Sequence, residues 1–319
     1  MQIIQTVFFL FLLSWFGSAN HNKISLVKSS TQGNPYLVIL GTLQDAGSPH
    51  IACKKECCKN LFKHPDASRK VVALGIVDPK SRMDWIIEAT PDLPAQMKAL
   101  KQMSGFENET PDGILITHAH IGHYAGLMYL GREAMNANNL PVYAMPKMKT
   151  FLESNGPWSQ LVSLKNIQLE PIENGKEISL SSQIKITPFI VPHRDEFSET
   201  VGYLISSKDK KALFIPDIDK WTKWDKQIIN EIKKVDYALI DATFFDGDEM
   251  KGRDISEIPH PLVIETLAAF ENLPDAEKNK IYFIHFNHTN PLLNINSRQS
   301  KEVIKKGFHV AGINQKLDL

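Results

Sequence analysis

Ile114-Leu-Ile-Thr-His118-Ala-His120-Ile-Gly-His123-Tyr-Ala-Gly126-Leu127 is the stretch that decides how the rest of the chain is read. Three of the eleven histidines fall within six residues, directly after an apolar run with the composition of a strand. In extended chain, residues i and i+2 point to the same side, so His118 and His120 face one point. If the chain then turns into a helix, His123 at its start faces a second point nearby, and Gly126 lets that helix pack closely. Neutral imidazole is the commonest nitrogen ligand of transition metals. A zinc held by three protein ligands with one open position is of the catalytic type. The stretch therefore predicts a strand that delivers a metal site at its carboxyl end.

Outward from this stretch one pattern recurs: a short apolar strand, then a polar turn or a helical segment. Strands are predicted at Tyr36–Gly41, Val71–Val77, Trp85–Glu88, Gly113–Thr117, Pro141–Met145, Ile184–Val191, Val201–Ser206, Ala212–Pro216, Tyr237–Asp241 and Ile281–Phe286, many closing near Gly, Pro or Asp. Helices are predicted at Leu93–Met103, His123–Asn136, Lys147–Asn155, Lys223–Lys234, Pro261–Glu271 and Arg298–Lys306. Leu93, Met97, Leu100 and Met103 recur at helical spacing and read as a core-facing stripe. Trp221 and Trp224 either line a pocket mouth or pack an amphipathic helix. Strands and helices alternating along one chain argue for a layered α/β domain. It is read as a single domain over residues 34–319, without an internal repeat.

The composition narrows the class. The chain has 319 residues, with 36 Lys+Arg against 36 Asp+Glu and a formal net charge of zero. That balance argues against a whole-chain nucleic-acid binder, so the expected partner is a small-molecule substrate; the oligomeric state is left open. Hydrophobic residues at 43% and charged residues at 23% exclude bulk disorder. Val7 to Phe16 reads VFFLFLLSWF, too short for a membrane span of about 20 residues. With Gly17-Ser18-Ala19 after it, the run fits a signal peptide over residues 1–19, although Met1 to Thr6 carries no Lys or Arg. The expectation is an exported protein, periplasmic or secreted, with no stable membrane span after cleavage near Ala19.

Thr117-His-Ala-His-Ile-Gly-His123 resembles the Thr-His-x-His-x-Asp-His signature of the metallo-β-lactamase superfamily. Further segments follow in the order that superfamily requires. Ile190-Val-Pro-His193 resembles the segment of the third histidine, Leu213-Phe-Ile-Pro-Asp217 the strand end of the bridging aspartate, and Phe283-Ile-His285 the last histidine. The resemblance implies a four-layer αββα sandwich with a metal site at one edge of the two sheets. It implies one metal held by His118, His120 and His193, and Asp217 bridging to a second metal held by His123 and His285. One departure stands out: the signature's Asp is Gly122 here. The centre is then mononuclear, holds a different second metal, or recruits another carboxylate. Asp45, in Leu43-Gln-Asp-Ala-Gly47, ranks first for that role, ahead of Asp195 and Glu196.

Cys53-Lys-Lys-Glu-Cys57-Cys58 brings all three cysteines together, and a closed tetrahedral zinc needs a fourth ligand. The cyclic-phosphate phosphodiesterase of phosphonate breakdown, from the same superfamily, places three early cysteines and a late histidine around a structural zinc. The resemblance implies Cys53, Cys57, Cys58 and His288 as such a site. His50 or His64 as fourth ligand, or a disulfide from Cys53 to Cys57 or Cys58, are the rivals. The C-terminal half, with Asp241-Ala-Thr-Phe-Phe-Asp-Gly-Asp, Ile258-Pro-His260-Pro and His285-Phe-Asn-His-Thr-Asn-Pro291, resembles the pyrroloquinoline-quinone biosynthesis protein B (PqqB) family. That family lacks the first two signature histidines, and His118 and His120 are both present here.

The resemblance thus implies a metal-dependent hydrolase with Zn2+ in one or two catalytic positions and one structural position, Fe or Mn being alternatives at the catalytic site. Water activated by the metal would attack an ester, lactone, amide or phosphodiester. Asp217 would orient that water, Asp45 and His260 are candidates for the acid, and Asp241 for a supporting role. The rival functions are a PqqB-like iron-dependent oxidative enzyme and a non-catalytic exported metal-binding protein.

Overall fold

The structure is a computed structural model that describes residues 33–250 and 254–319. The predicted signal peptide, residues 1–19, lies outside the described residues. The strands, in chain order, are β1 (Tyr36–Gly41), β2 (Ala73–Asp78), β3 (Met83–Ile87), β4 (Gly113–Leu115), β5 (Leu140–Ala144), β6 (Ile167–Pro171), β7 (Ile178–Ser179), β8 (Lys185–Ile190), β9 (Val201–Ser206), β10 (Lys211–Ile215), β11 (Tyr237–Asp241), β12 (Ile281–Ile284), β13 (His309–Val310) and β14 (Lys316–Asp318). They form two seven-stranded sheets. One has the order β14-β1-β2-β3-β4-β5-β6 and the other β13-β12-β11-β10-β9-β8-β7.

The two sheets follow the same series of pairings. From β14 to β3 neighbours are antiparallel, and from β3 to β6 parallel. From β7 to β10 neighbours are antiparallel, and from β10 to β13 parallel. The sequence shows no such repeat, because backbone pairing needs only alternating apolar side chains and not the same ones.

That alternation builds the layers. In β1, Leu37 and Ile39 point into the core between the sheets, where they join Leu74, Ile76, Trp85, Tyr203, Phe214 and Leu239. Tyr36, Val38 and Leu40 point the other way, under the helices Leu93–Ser104, Pro146–Ser154 and Trp158–Ser163. On the second sheet Leu213, Ile215, Ile240 and Phe283 lie under the helices Ile228–Ile232, Val263–Ala269 and Arg298–Lys305. The result is a helix–sheet–sheet–helix sandwich, the α/β four-layer αββα architecture of the metallo-β-lactamase fold.

Two predicted features are corrected, and one left open is decided. The helix expected over 123–136 is a single α-turn, Ile121–Tyr124, followed by the 3-10 segment Ala125–Leu130. The Gly126 amide leaves the helical ladder to donate to Ala89 O at 2.8 Å. A Cβ on Gly126 would lie 2.0 Å from Thr90 O, so only glycine permits this approach. In the helix Leu93–Ser104, Leu93 and Leu100 are buried but Met103 is 37% exposed. Buried Gln96 stands on that face instead, donating to Val71 O at 2.6 Å and accepting from Thr90 Oγ1 at 2.7 Å. Trp224 packs beside Phe189 and donates to Ile190 O, and Trp221 donates to Thr266 Oγ1, so both belong to the outer helical layer.

Candidate metal centre

The candidate site lies where strands of both sheets end. β3 leads into Glu88, and β4 into Thr117 and the three histidines. β8 leads into His193, β10 into Asp217, β11 into Asp241 and Thr243, and β12 into His285. Asp45 comes from the loop after β1. Glu88 and His285 have positive φ, +83° and +67°. Non-glycine residues rarely adopt it, and such strain concentrates at functional sites.

The first donor set is His118, His120, His193 and Asp217. His118 Nε2 is 2.9 Å from His120 Nδ1, which is 3.2 Å from His193 Nε2. Asp217 Oδ2 lies 3.2 Å from His193 Nε2 and 3.4 Å from His118 Nε2. Zinc–nitrogen bonds of about 2.0–2.1 Å in a tetrahedron imply ligand–ligand edges of about 3.3 Å. The extended strand end does bring His118 and His120 to one point.

The second donor set is Asp45, His123, Asp217 and His285. Asp45 Oδ1 is 3.0 Å from His123 Nε2 and 3.4 Å from His285 Nε2. Asp217 Oδ2 is 3.9 Å from His123 Nε2, so one carboxylate serves both sets.

A deeper layer sets the ring tautomers. Glu88 Oε1 accepts from the Thr117 hydroxyl at 2.5 Å and from His123 Nδ1 at 3.0 Å. With its proton given to Glu88, Thr117 Oγ1 accepts from His118 Nδ1 at 2.8 Å. The second sheet repeats this wiring. Thr243 Oγ1 donates to Asp241 Oδ1 at 2.7 Å and accepts from His285 Nδ1 at 2.8 Å. His120 Nε2 faces Glu196 Oε2 at 3.3 Å. The rings of His118, His120, His123 and His285 are thereby fixed with their remaining nitrogens turned toward a donor set, the arrangement that carboxylate-supported metal histidines adopt, whereas the outer Nδ1 of His193 is buried without a partner.

Lone pairs of these nitrogens therefore face carboxylate oxygens, and only a cation reconciles them. Buried His285 Nε2 and Asp217 Oδ1 have no hydrogen-bond partner. The residues present fit a metal at both sets. Without one, protons take that part. Burial works against the charged His123, yet Asp45 and Glu88 hold it well above the usual imidazole value. Burial likewise opposes ionisation of Asp45, but His123 and His285 hold it well below the usual carboxylate range. His118 is driven well below the ordinary value, first by burial and then by the charge of His123.

His260, buried beside this centre, places Nδ1 2.9 Å from Asp241 Oδ2 and 3.2 Å from Asp217 Oδ1. Burial disfavours its charge, but these two carboxylates push it up to about 10. Cys53, Cys57, Cys58 and His288 form a separate donor set. The three cysteines are free thiols in this structure. His50 stacks on His288 with ring centroids 4.4 Å apart, and neither it nor His64 belongs to the set. Burial, then repulsion from His50 and Lys55, lowers His288 to about 4, leaving a neutral ring.

Two candidate carboxylates are corrected. Asp195 accepts from Thr200 Oγ1 at 2.9 Å and joins neither set. Glu196 supports the far side of the His120 ring instead of replacing the signature's Asp. Glu88 and Thr243 had no role in the sequence reading. The visible signal for Glu88 was an acidic residue closing an otherwise apolar strand, Trp85-Ile-Ile-Glu88.

Fold and site together define a metallo-β-lactamase-type protein with donor sets for metal. The chain belongs to the beta-lactamase superfamily: the sequence model described as "Beta-lactamase superfamily domain" matches residues 85–286. Over its length the sequence is PqqB-like. It is 24% identical over 306 residues to coenzyme PQQ synthesis protein B of Methylorubrum extorquens (strain PA1), covering 89% of this chain and all of that one. Against the protein of the same name from Pseudomonas putida it is 24% identical over 304 residues, covering 86% of this chain and 97% of that one. Among solved structures, zinc-bound PqqB of Methylobacterium extorquens superposes with a TM-score of 0.73 at 22% identity, over 89% of this chain and all of that one. A diphosphatase of the PhnP family superposes with a TM-score of 0.64 at 20% identity, over 90% of this chain and 97% of that one. Among the described residues no helix is long and apolar enough to cross a membrane.

Proposed function

We propose that this protein is a metal-dependent hydrolase of small molecules, with Zn2+ at the His118–His120–His193 set and a second divalent ion at the set containing His123 and His285. The observation that carries this reading is the pair of donor sets sharing Asp217, with four of the five rings (His118, His120, His123 and His285) held by their outer nitrogens so that the inner ones face the cluster. When bound, such an ion supplies Lewis-acid polarisation of the scissile group and acidifies water toward neutral pH. The chain supplies the rest. Asp217 presents one oxygen to both sets, and its other oxygen lies beside His260. Asp241 accepts the Nδ1 proton of His260, which leaves Nε2 of that ring as the nitrogen from which a proton is passed to a leaving group. The expected substrates are esters, lactones, amides or phosphodiesters. In the test, His118 and His120 are replaced together by Ala, and metal content and turnover on a panel of these four classes are measured. Full metal and full activity in that variant refute the proposal.

The likeness to coenzyme PQQ synthesis proteins over 89% of this chain supports a second reading, a step in quinone-cofactor synthesis, for which we propose an iron-dependent oxidation at the same histidine and carboxylate donors. Protein purified without oxygen separates the two readings. Iron content with oxygen uptake supports oxidation, and zinc content without oxygen uptake supports hydrolysis.

A further inference from the structure

The second donor set takes its outer carboxylate from a loop 78 positions before His123 in the chain. Position 122, next to His123, has no side chain, and the space a side chain would enter belongs to Asp45. A Cβ on Gly122 would lie 2.3 Å from Asp45 Cα, 2.5 Å from its Cβ and 2.9 Å from its Cγ. Real Cβ atoms do not approach others so closely, and two of these neighbours cannot swing away without moving the loop. Glycine at 122 and the position of Asp45 are therefore one feature.

The loop around Asp45 is held on both sides. Gln44 N donates to Phe286 O at 2.9 Å, and Phe286 N to Thr42 O at 2.7 Å, so the strand end carrying Asp45 is laced to the residue after His285. Gly47, at φ +68°, closes the turn by donating to Gln44 O at 2.9 Å. Asp45 is thereby delivered 3.0 Å from His123 and 3.4 Å from His285, with its side chain 15% exposed. A carboxylate oxygen within about the edge length of a tetrahedral site from two imidazole nitrogens suits a divalent ion.

We propose that Asp45 is the carboxylate ligand of the second metal position, and that Gly122 is the residue that admits it. Asp45 is then a ligand and not the proton donor, which leaves the acid role to His260. This assignment rests on the metal-centre reading above and concerns only its second position.

The test counts metal, not turnover. Full-length protein is stripped with a chelator, reloaded with Zn2+ alone, dialysed and measured for zinc per chain. Co2+ absorption spectra provide a parallel readout. Wild type is expected to hold about three zinc ions, one in each donor set and one in the cysteine cluster. Asp45→Asn is expected to lose one equivalent, its affinity at that position falling by more than the roughly 10–100-fold that loss of an outer-shell partner costs. Gly122→Ala is expected to lose the same equivalent although it removes no ligand, because the added methyl displaces Asp45. The two variants guard each other against a folding artefact. Asp45→Asn and Gly122→Ala each retaining the wild-type count at unchanged affinity overturns the assignment. His118→Ala/His120→Ala distinguishes the two levels. If that variant loses zinc while Asp45→Asn does not, only the Asp45 assignment falls. If neither loses zinc, the metal-centre reading falls with it.

Discussion

Replacing Glu88 by Gln tests whether one buried carboxylate governs both donor sets. Glu88 is fully buried and accepts at both oxygens. Oε1 takes the Thr117 hydroxyl at 2.5 Å and His123 Nδ1 at 3.0 Å, and Oε2 takes the Thr117 amide at 3.4 Å. Gln keeps the volume but has one acceptor. If its carbonyl stays at the Oε1 position, its NH2 meets the Thr117 N–H, donor against donor. The bond to His123 also loses its charge. Charge-assisted bonds contribute about 1.5–3 kcal/mol and neutral ones about 0.5–1.5, so the direct loss at His123 is about 1–2 kcal/mol. Outer-shell losses of this kind weaken metal binding roughly 10–100-fold. Competition titration with a chromophoric chelator is expected to show that weakening at the His123 set, and a smaller one at the His118 set through Thr117. Thr117→Val is expected to weaken only the His118 set. Unchanged affinity at both sets in Glu88→Gln, or a change confined to the His118 set, refutes the reasoning.

Gly126→Ala is expected to destabilise the fold by about 3 kcal/mol in urea titration, because its methyl would meet Thr90 O at 2.0 Å. Asp84 is raised from 3.8 to about 6 by burial and by repulsion from Asp112. A carboxyl raised on folding favours the native state only while protonated, so its contribution is present at pH 4 and lost as pH rises through 6. Asp84→Asn is accordingly expected to be more stable than wild type at pH 8, on the order of 1–2 kcal/mol after solvent screening, and equal to it at pH 4; no gain at pH 8 contradicts this. Chelation is expected to lower the melting temperature, and free Zn2+ at 100 times the dissociation constant to restore about 2.7 kcal/mol per site. Export is tested by the mass of the mature chain, expected to begin after Ala19; an intact residue 7–16 segment in secreted material contradicts it.

The sequence reading reached the layers and the histidines because both are local patterns. An apolar run shows as a strand wherever it packs, and His118, His120 and His123 carry their geometry in their spacing. It missed β7, β13 and β14, which are too short for a period to show, and β6, whose Ile-Gln-Leu-Glu-Pro carries only two apolar side chains before its proline. It overextended the helix after His123, because the bond from Gly126 to Ala89 O is made to a residue far away in the chain. Glu88, Thr117 and Thr243 act through other side chains, and the bonds Glu88–Thr117, Glu88–His123 and Thr243–His285 span 29 to 42 positions. Asp45 was visible as a candidate, but its place depends on the space left by Gly122, which only the fold displays.

The donor sets draw on both sheets: Asp45, His118, His120 and His123 from one half, His193, Asp217 and His285 from the other. An ion bound there is a rivet across the seam of the sandwich. Its binding free energy is shared with the docking of the two halves, so losing the ion loosens the body as well as the chemistry.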